Sequence, residues 1–303
     1  MSDNSLCRSA GEPSICFVIP YFGEWPFWFP FFLESCRYNP TINWLFFTDC
    51  GSPLDSPANV QFVHTSYASY CQYVSERLGI EFRPDNPYKL CDIKPALGHI
   101  HEEAIEGYDF WAFGDIDVIY GNLRKYFTPE RLQTKDLFST HARRVSGHLC
   151  IVRNNRVMRE AYRLIPKWRE RFSDTEHQAL DEGAFSRLFI RHKNWPESLR
   201  LFAARFNKWY VRSEFIEAHS TFTILENGRR ELPDAWCWLD GTLTNSLIRG
   251  REFPYLHFLA WKKNDWAHNS KVKLLGPAGL IENKKWQITA AGWRPLEEAK
   301  ECS

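Results

Sequence analysis

The chain has 303 residues, 44% hydrophobic and 25% charged, with 38 basic side chains against 37 acidic ones. That is long and apolar enough to bury a substantial core as one large or two ordinary domains. A net charge of +1, with basic pairs no longer than Arg143-Arg144 and Lys262-Lys263, offers no concentrated basic face and excludes nucleic acid as an expected partner.

Residues Met1 to Pro13 are polar, lack an apolar leader segment and read as a loose tail, so one domain is expected over 14–303. Ile15 to Pro20 (ICFVIP) is a short β-branched run, expected as a central strand buried on both faces. The following stretch, Tyr21 to Leu33, is the most apolar in the chain, but two prolines, a glycine and a glutamate interrupt it. It reads as a loop entering a packed helix over 30–38, with Trp25, Phe27 and Trp28 giving at most peripheral membrane contact. No stretch reaches the ~20 apolar residues that span a bilayer.

Strands are expected over 43–49 and, more weakly, 60–64; strand, helix, strand is the order of an α/β sheet. From Lys94 to Gly107 the pattern turns helical, with Leu97, Ile100 and Ala104 on one face. Asp109 to Gly114 (DFWAFG) is a further buried strand. Strands follow at 136–140 and 148–153, then a helix over 154–172 broken at Pro166, and another over 182–192. Short strands and turns follow residue 205, with a strand at Pro254–Trp261 and a strand-like C-terminal region. Nine cysteines without a C-x-x-C pair suit small buried hydrophobes in a reducing, cytoplasmic compartment. The 13 tryptophans could stack on sugar rings, although the first expectation for them is core packing.

Chemistry concentrates at Phe113 to Gly121 (FGDIDVIYG). Residues i and i+2 of an extended segment project to one side, so Asp115 and Asp117 can converge on one hard divalent cation. The alternative is a surface turn with two solvated aspartates; an apolar strand before the motif, and Gly114 and Gly121 leaving room for a ligand, argue against it. His257, inside a late apolar run, is either a third metal ligand or a core histidine bonded to a carbonyl, and periodicity alone favours the core. Lys262 follows closely and would add positive charge. Asp181-Glu182 is either a helix-capping pair or a catalytic one. Asp92 and Lys94, just before a helix, could face a ligand; capping is the alternative for Asp92. Pro20 and Tyr21 end the first strand, where Tyr21 could lie against a nucleobase or pack in the core.

The ordered blocks V-I-P-Y-F-G (18–23), Y-K-L-C-D-I-K-P-A (88–96), D-F-W-A-F-G-D-I-D-V-I-Y-G (109–121), S-G-H-L (146–149) and L-D-E (180–182) resemble a largely uncharacterised bacterial family of glycosyltransferase-like proteins. The resemblance spans roughly residues 15 to 265. It implies a GT-A-like single nucleotide-binding α/β domain, with a mixed, mostly parallel sheet flanked by helices. It further implies a manganese or magnesium ion on Asp115, Asp117 and His257, with Asp115 also touching the donor ribose or diphosphate. Lys262 would lie on the diphosphate, and Asp181 and Glu182 on acceptor and donor sugar. A UDP-sugar donor and a carbohydrate or glycolipid acceptor, as in surface polysaccharide or lipopolysaccharide assembly, with retention at the anomeric carbon, belong to the same implication. The chain departs from the family where Phe258-Leu259-Ala260-Trp261 replaces a glycine-containing spacer before Lys262.

Two other classes compete. A haloacid-dehalogenase-type phosphohydrolase also places D-x-D after a strand, but normally at the start of its domain and with Thr or Val where this chain has Ile119. A carbohydrate-binding module would explain the aromatics without needing a buried acidic pair.

Overall fold

The structure is a computed structural model that describes residues 11–192, 194–225, 227–266 and 284–296. The expected loose tail before residue 11 lies outside them.

In chain order, the first elements are β1 (Ile15–Pro20), α1 (Phe29–Arg37), β2 (Ile42–Thr48), β3 (Val60–His64) and α2 (Tyr67–Leu78). Next come β4 (Phe110–Gly114), β5 (Val118–Tyr120), β6 (Leu137–Ser139), β7 (Leu149–Arg153) and β8 (Ser213–Phe215). A small hairpin, β9 (Thr223–Ile224) and β10 (Arg230–Glu231), precedes β11 (Ala235–Leu239), β12 (Thr242–Asn245), β13 (Tyr255–His257), β14 (Lys285–Thr289) and β15 (Gly292–Pro295).

Seven strands form one sheet in the order β3-β2-β1-β4-β7-β6-β8. The first four are parallel, β7 is antiparallel to both neighbours, and β8 runs parallel to β6. The result is the mixed, mostly parallel α/β sheet that the alternation of strands and helices predicts.

Period-two alternation sends Ile15, Phe17 and Ile19 to one face and Cys16 and Val18 to the other. Phe29, Phe32, Leu33 and Cys36 of α1 cover the first face, and Tyr70, Cys71, Val74 and Leu78 of α2 cover the second. Each such side chain, once buried, stabilises by about 1.5–3 kcal/mol. A third core lies apart, built on the four-stranded sheet β12-β11-β14-β15 and rich in tryptophan.

Four expected elements differ from what forms. The helix over 94–107 is a 3-10 helix from Pro87 to Ala96 followed by a single α turn, Leu97–Ile100; Pro95 has no N–H for a regular ladder there. The 154–172 helix breaks into Arg156–Arg159, Ala161–Leu164 and, past Pro166, Trp168–Ser173. The 182–192 helix starts with a π turn, Asp181–Phe185, and ends at Phe189. The 254–261 strand stops at His257, and Leu259–Trp261 is already helical. The sequence reading also omits α2, whose signals are Ser66, accepting the Ser69 N–H at 3.1 Å, and Gly79 in the left-handed region. Among the described residues six cysteines are free thiols and Cys237 is disulfide-bonded, which the reading of scattered, unpaired cysteines did not anticipate. Among the described residues no helix is long and apolar enough to cross a membrane.

Candidate active site

From β1 the chain passes to β2 and β3 on one side, while β4 lies on the other. A crevice opens where connections leave neighbouring parallel strands in opposite directions, and such crevices bind ligands at the carboxyl ends of the strands. β1 delivers Pro20 and Tyr21 to this crevice, and β4 delivers Asp115 and Asp117. β13 then pairs antiparallel with β5, setting His257 opposite Val118 and therefore beside Asp117. One donor atom from each of Asp115, Asp117 and His257 lies within 4.8 Å of the others. Two carboxylates and an imidazole make a donor set that fits a hard or borderline divalent cation. Both Gly114 and Gly121 admit a close backbone approach, and of the two Gly114 alone also lines the crevice. A Cβ would lie 3.0 Å from the His148 carbonyl at the first and 2.4 Å from that of Phe253 at the second.

The chain also fixes the state of each donor. Asp117 is buried, which opposes its charge, but His257 and Lys262 override this and hold its pKa below the usual carboxylate range. Lys262 is ion-paired with Asp117, and Lys94 with Asp115. Burial works against the Lys94 ammonium; Asp115 outweighs it and the pKa lies above that of an ordinary lysine. Thr221 Oγ1 donates to the His257 carbonyl at 3.0 Å and lies 3.2 Å from Nδ1 of the same residue. Its proton being used on the carbonyl, the hydroxyl accepts from Nδ1–H. With Nδ1 turned to Thr221, Nε2 faces Asp117 Oδ1 at 3.6 Å, the side on which a metal ligand is needed. The neutral ring of His148, its pKa pushed down by burial and by His257, backs His257 at 4.3 Å.

The crevice is a cavity of about 670 Å³ whose wall includes Pro20, Tyr21, Lys94, Asp115, Asp117, Asp181, Glu182, His257 and Lys262. Asp181 is buried, which raises its pKa to about 6 although Lys94 opposes the rise. Glu182 accepts from the Gly147 N–H at 3.2 Å and pairs with Arg144 at 3.3 Å. Tyr21 stacks on Trp25 at 5.1 Å and also lines the cavity, so it packs against the core and faces the crevice at once. The chain's departure before Lys262 builds one helical turn, with Lys262 N–H donating to Phe258 O at 3.0 Å, and that turn returns the ammonium to Asp117.

Asp92 alone among the expected ligand-facing residues does not reach the cavity. It is fully buried, pairs with Lys89 at 3.0 Å and accepts from the Gln178 and Leu180 N–H groups, both at 2.8 Å. It is not a cap either, since Asn86 caps that 3-10 helix. Its work is to hold the segment that carries Asp181-Glu182. The sequence pattern assigns no site role to Gly147, His148, Arg144, Thr221 or Trp28, all of which line the cavity. The S-G-H-L block was the one available signal, for Gly147 and His148.

Fold and site together define an α/β protein with a charged, cation-suited crevice at the switch point of its sheet. The chain belongs to a family of unknown function (DUF6625), whose profile matches residues 17–284. No curated protein matches it in sequence. Slight structural likeness exists to a galactosyltransferase, LgtC, solved with donor and acceptor sugar analogues; identity is 11% and the TM-score 0.34, over 66% of this chain and 86% of that one. The glycosyltransferase GlyE of Streptococcus pneumoniae matches at 8% identity and a TM-score of 0.33, over 69% and 46%. Mouse xyloside xylosyltransferase 1, in its apo form, matches at 8% and 0.35, over 69% and 86%. At these scores the likenesses carry no argument; the geometry of the site does.

Proposed function

We propose that the chain is a metal-dependent glycosyltransferase of GT-A type, moving a sugar from a nucleoside diphosphate, UDP foremost, to a carbohydrate or glycolipid acceptor. The observation that carries this reading is the convergence of Asp115, Asp117 and His257, its ring steered by Thr221, at the switch-point crevice. Asp115, Asp117 and His257 would hold manganese or magnesium, which when bound neutralises charge growing on the departing diphosphate. The remaining steps fall to the chain's own side chains. Lys262, already at the Asp117 carboxylate, contributes a cation on the diphosphate side. Lys94 orients Asp115, and Pro20 and Tyr21 border the nucleobase.

As the acceptor oxygen bonds to the anomeric carbon, the carbon–oxygen bond to the diphosphate breaks and its electron pair leaves with the diphosphate. The acceptor hydroxyl proton passes to the Asp181 carboxylate, whose pKa near 6 suits a base working near neutrality. Glu182, partly exposed, orients the acceptor. Hexosyl transfer with retention, in surface polysaccharide or lipopolysaccharide assembly, extends the reading on the resemblance of the Asp181-Glu182 pair. The phosphohydrolase reading is disfavoured because His257 and Lys262 hold the Asp117 pKa low, against the proton that a general acid must carry. The binding-module reading weakens because most tryptophans are buried.

Titration calorimetry with UDP, with and without Mn²⁺, tests the proposal. Binding that needs the metal and disappears in Asp117→Ala is expected. A folded protein that binds no nucleoside diphosphate with either ion overturns it.

A further inference from the structure

A second cavity, about 490 Å³, adjoins the crevice, and Glu182 lines both. Its wall also carries Arg143, Arg187, His192 and Trp195. Among the described residues neither arginine meets a carboxylate. Arg187 Nε reaches only the Gly183 carbonyl, at 3.4 Å, and Arg143 is held through its backbone N–H on His141 Nδ1, at 3.1 Å. The one carboxylate in the wall is already compensated, because Glu182 has Arg144 at 3.3 Å and the Gly147 N–H. The charge left facing the cavity is therefore positive. His192 and Trp195 stack at 4.0 Å with an interplanar angle of 15°, and Trp195 remains 46% exposed. An indole held flat by a partner offers a rigid apolar face for the C–H side of a sugar ring.

We infer that this second cavity is the acceptor subsite and that its ligand is an anionic sugar, bearing a carboxylate or a phosphate. The sugar ring packs on Trp195, its acidic group meets Arg143 and Arg187 in charge-assisted hydrogen bonds, and Glu182 leads its reactive hydroxyl into the crevice. The inference rests on the transferase reading for the word acceptor, while the selectivity for charge is its own claim.

The test is saturation-transfer NMR on the full chain without metal or nucleotide. The probes are methyl glucuronide, methyl glucoside, which lacks only the carboxylate, and glucose 6-phosphate. The charged probes are expected to bind and the glucoside not. Binding should fall by about fivefold to tenfold in Arg143→Ala/Arg187→Ala, the loss of two exposed charge pairs. Both arginines are exposed, so the double variant keeps the fold, and Trp195→Ala should weaken all binding that remains. A response to the glucuronide assigns a uronic-acid acceptor, and a response to the phosphate alone assigns a phosphosugar. Equal binding of the glucoside, or charged-probe binding that survives the double variant, overturns the subsite. Failure of the separate Mn²⁺–UDP titration would remove the transferase reading and leave a charge-selective sugar site standing.

Discussion

The β5–β13 ribbon has two surroundings that differ in almost every respect. Ile119 and Leu256 enter the third core, among Trp236, Trp238, Trp286 and Trp293. Asp117 and His257, at the end of the same two strands, enter the charged crevice. On the aromatic side the holding forces are area and shape: Trp238 stacks on Trp286 at 3.9 Å, and its N–H donates to Tyr120 O at 2.9 Å. On the other side each charged group is set by a named partner. The buried tryptophans that made a lectin plausible instead anchor the ribbon that positions Asp117 and His257.

That division can be broken in four ways. Asp117→Ala should remove metal-dependent nucleotide binding beyond detection in calorimetry while the circular dichroism spectrum stays native. Trp238→Ala should do the reverse, costing about 3–5 kcal/mol of unfolding free energy in urea melts, with Mn²⁺ affinity intact in the folded fraction. If both variants lose both properties equally, the two surroundings are not separable. Thr221→Val should release the His257 ring orientation and weaken Mn²⁺ binding by about 10–100-fold without altering the melt.

The smallest expected effect is a gain. The folded pKa of Asp181 lies near 6 against an ordinary 3.8, so the native state holds the extra proton between those values. Stability therefore falls as pH rises from about 4 to 6 and stays reduced above. Asp181→Asn should add about 1–2 kcal/mol at pH 7 and nothing at pH 3.5, read by urea melts at both, while abolishing transfer.

Apolar runs made β1, β2, β4 and β7 legible in the sequence, because a strand buried on both faces needs little beyond its own composition. The D-x-D pair was legible for the same reason: it ends such a run. His257 was legible through the family resemblance alone, since periodicity saw an apolar strand and favoured a core residue; the pairing of β13 with β5 is what places it beside Asp117. Asp92 misled in the opposite direction. A polar residue before an expected helix looked ligand-facing, yet its two carboxylate oxygens are consumed by backbone N–H groups of residues 178 and 180. Local pattern reports which residues are buried; it does not report which distant segment buries them.

The ion pair between Asp117 and Lys262 joins residues 145 positions apart, and β13, which carries His257, lies nearly as far along. During synthesis the acidic pair emerges long before the strand that completes it. Until then β5, which follows Asp117, lacks the strand it pairs with. Contacts of such long range form slowly, so the site is among the last parts of the chain to mature. The arrival of metal affinity would serve as a clock for the end of folding.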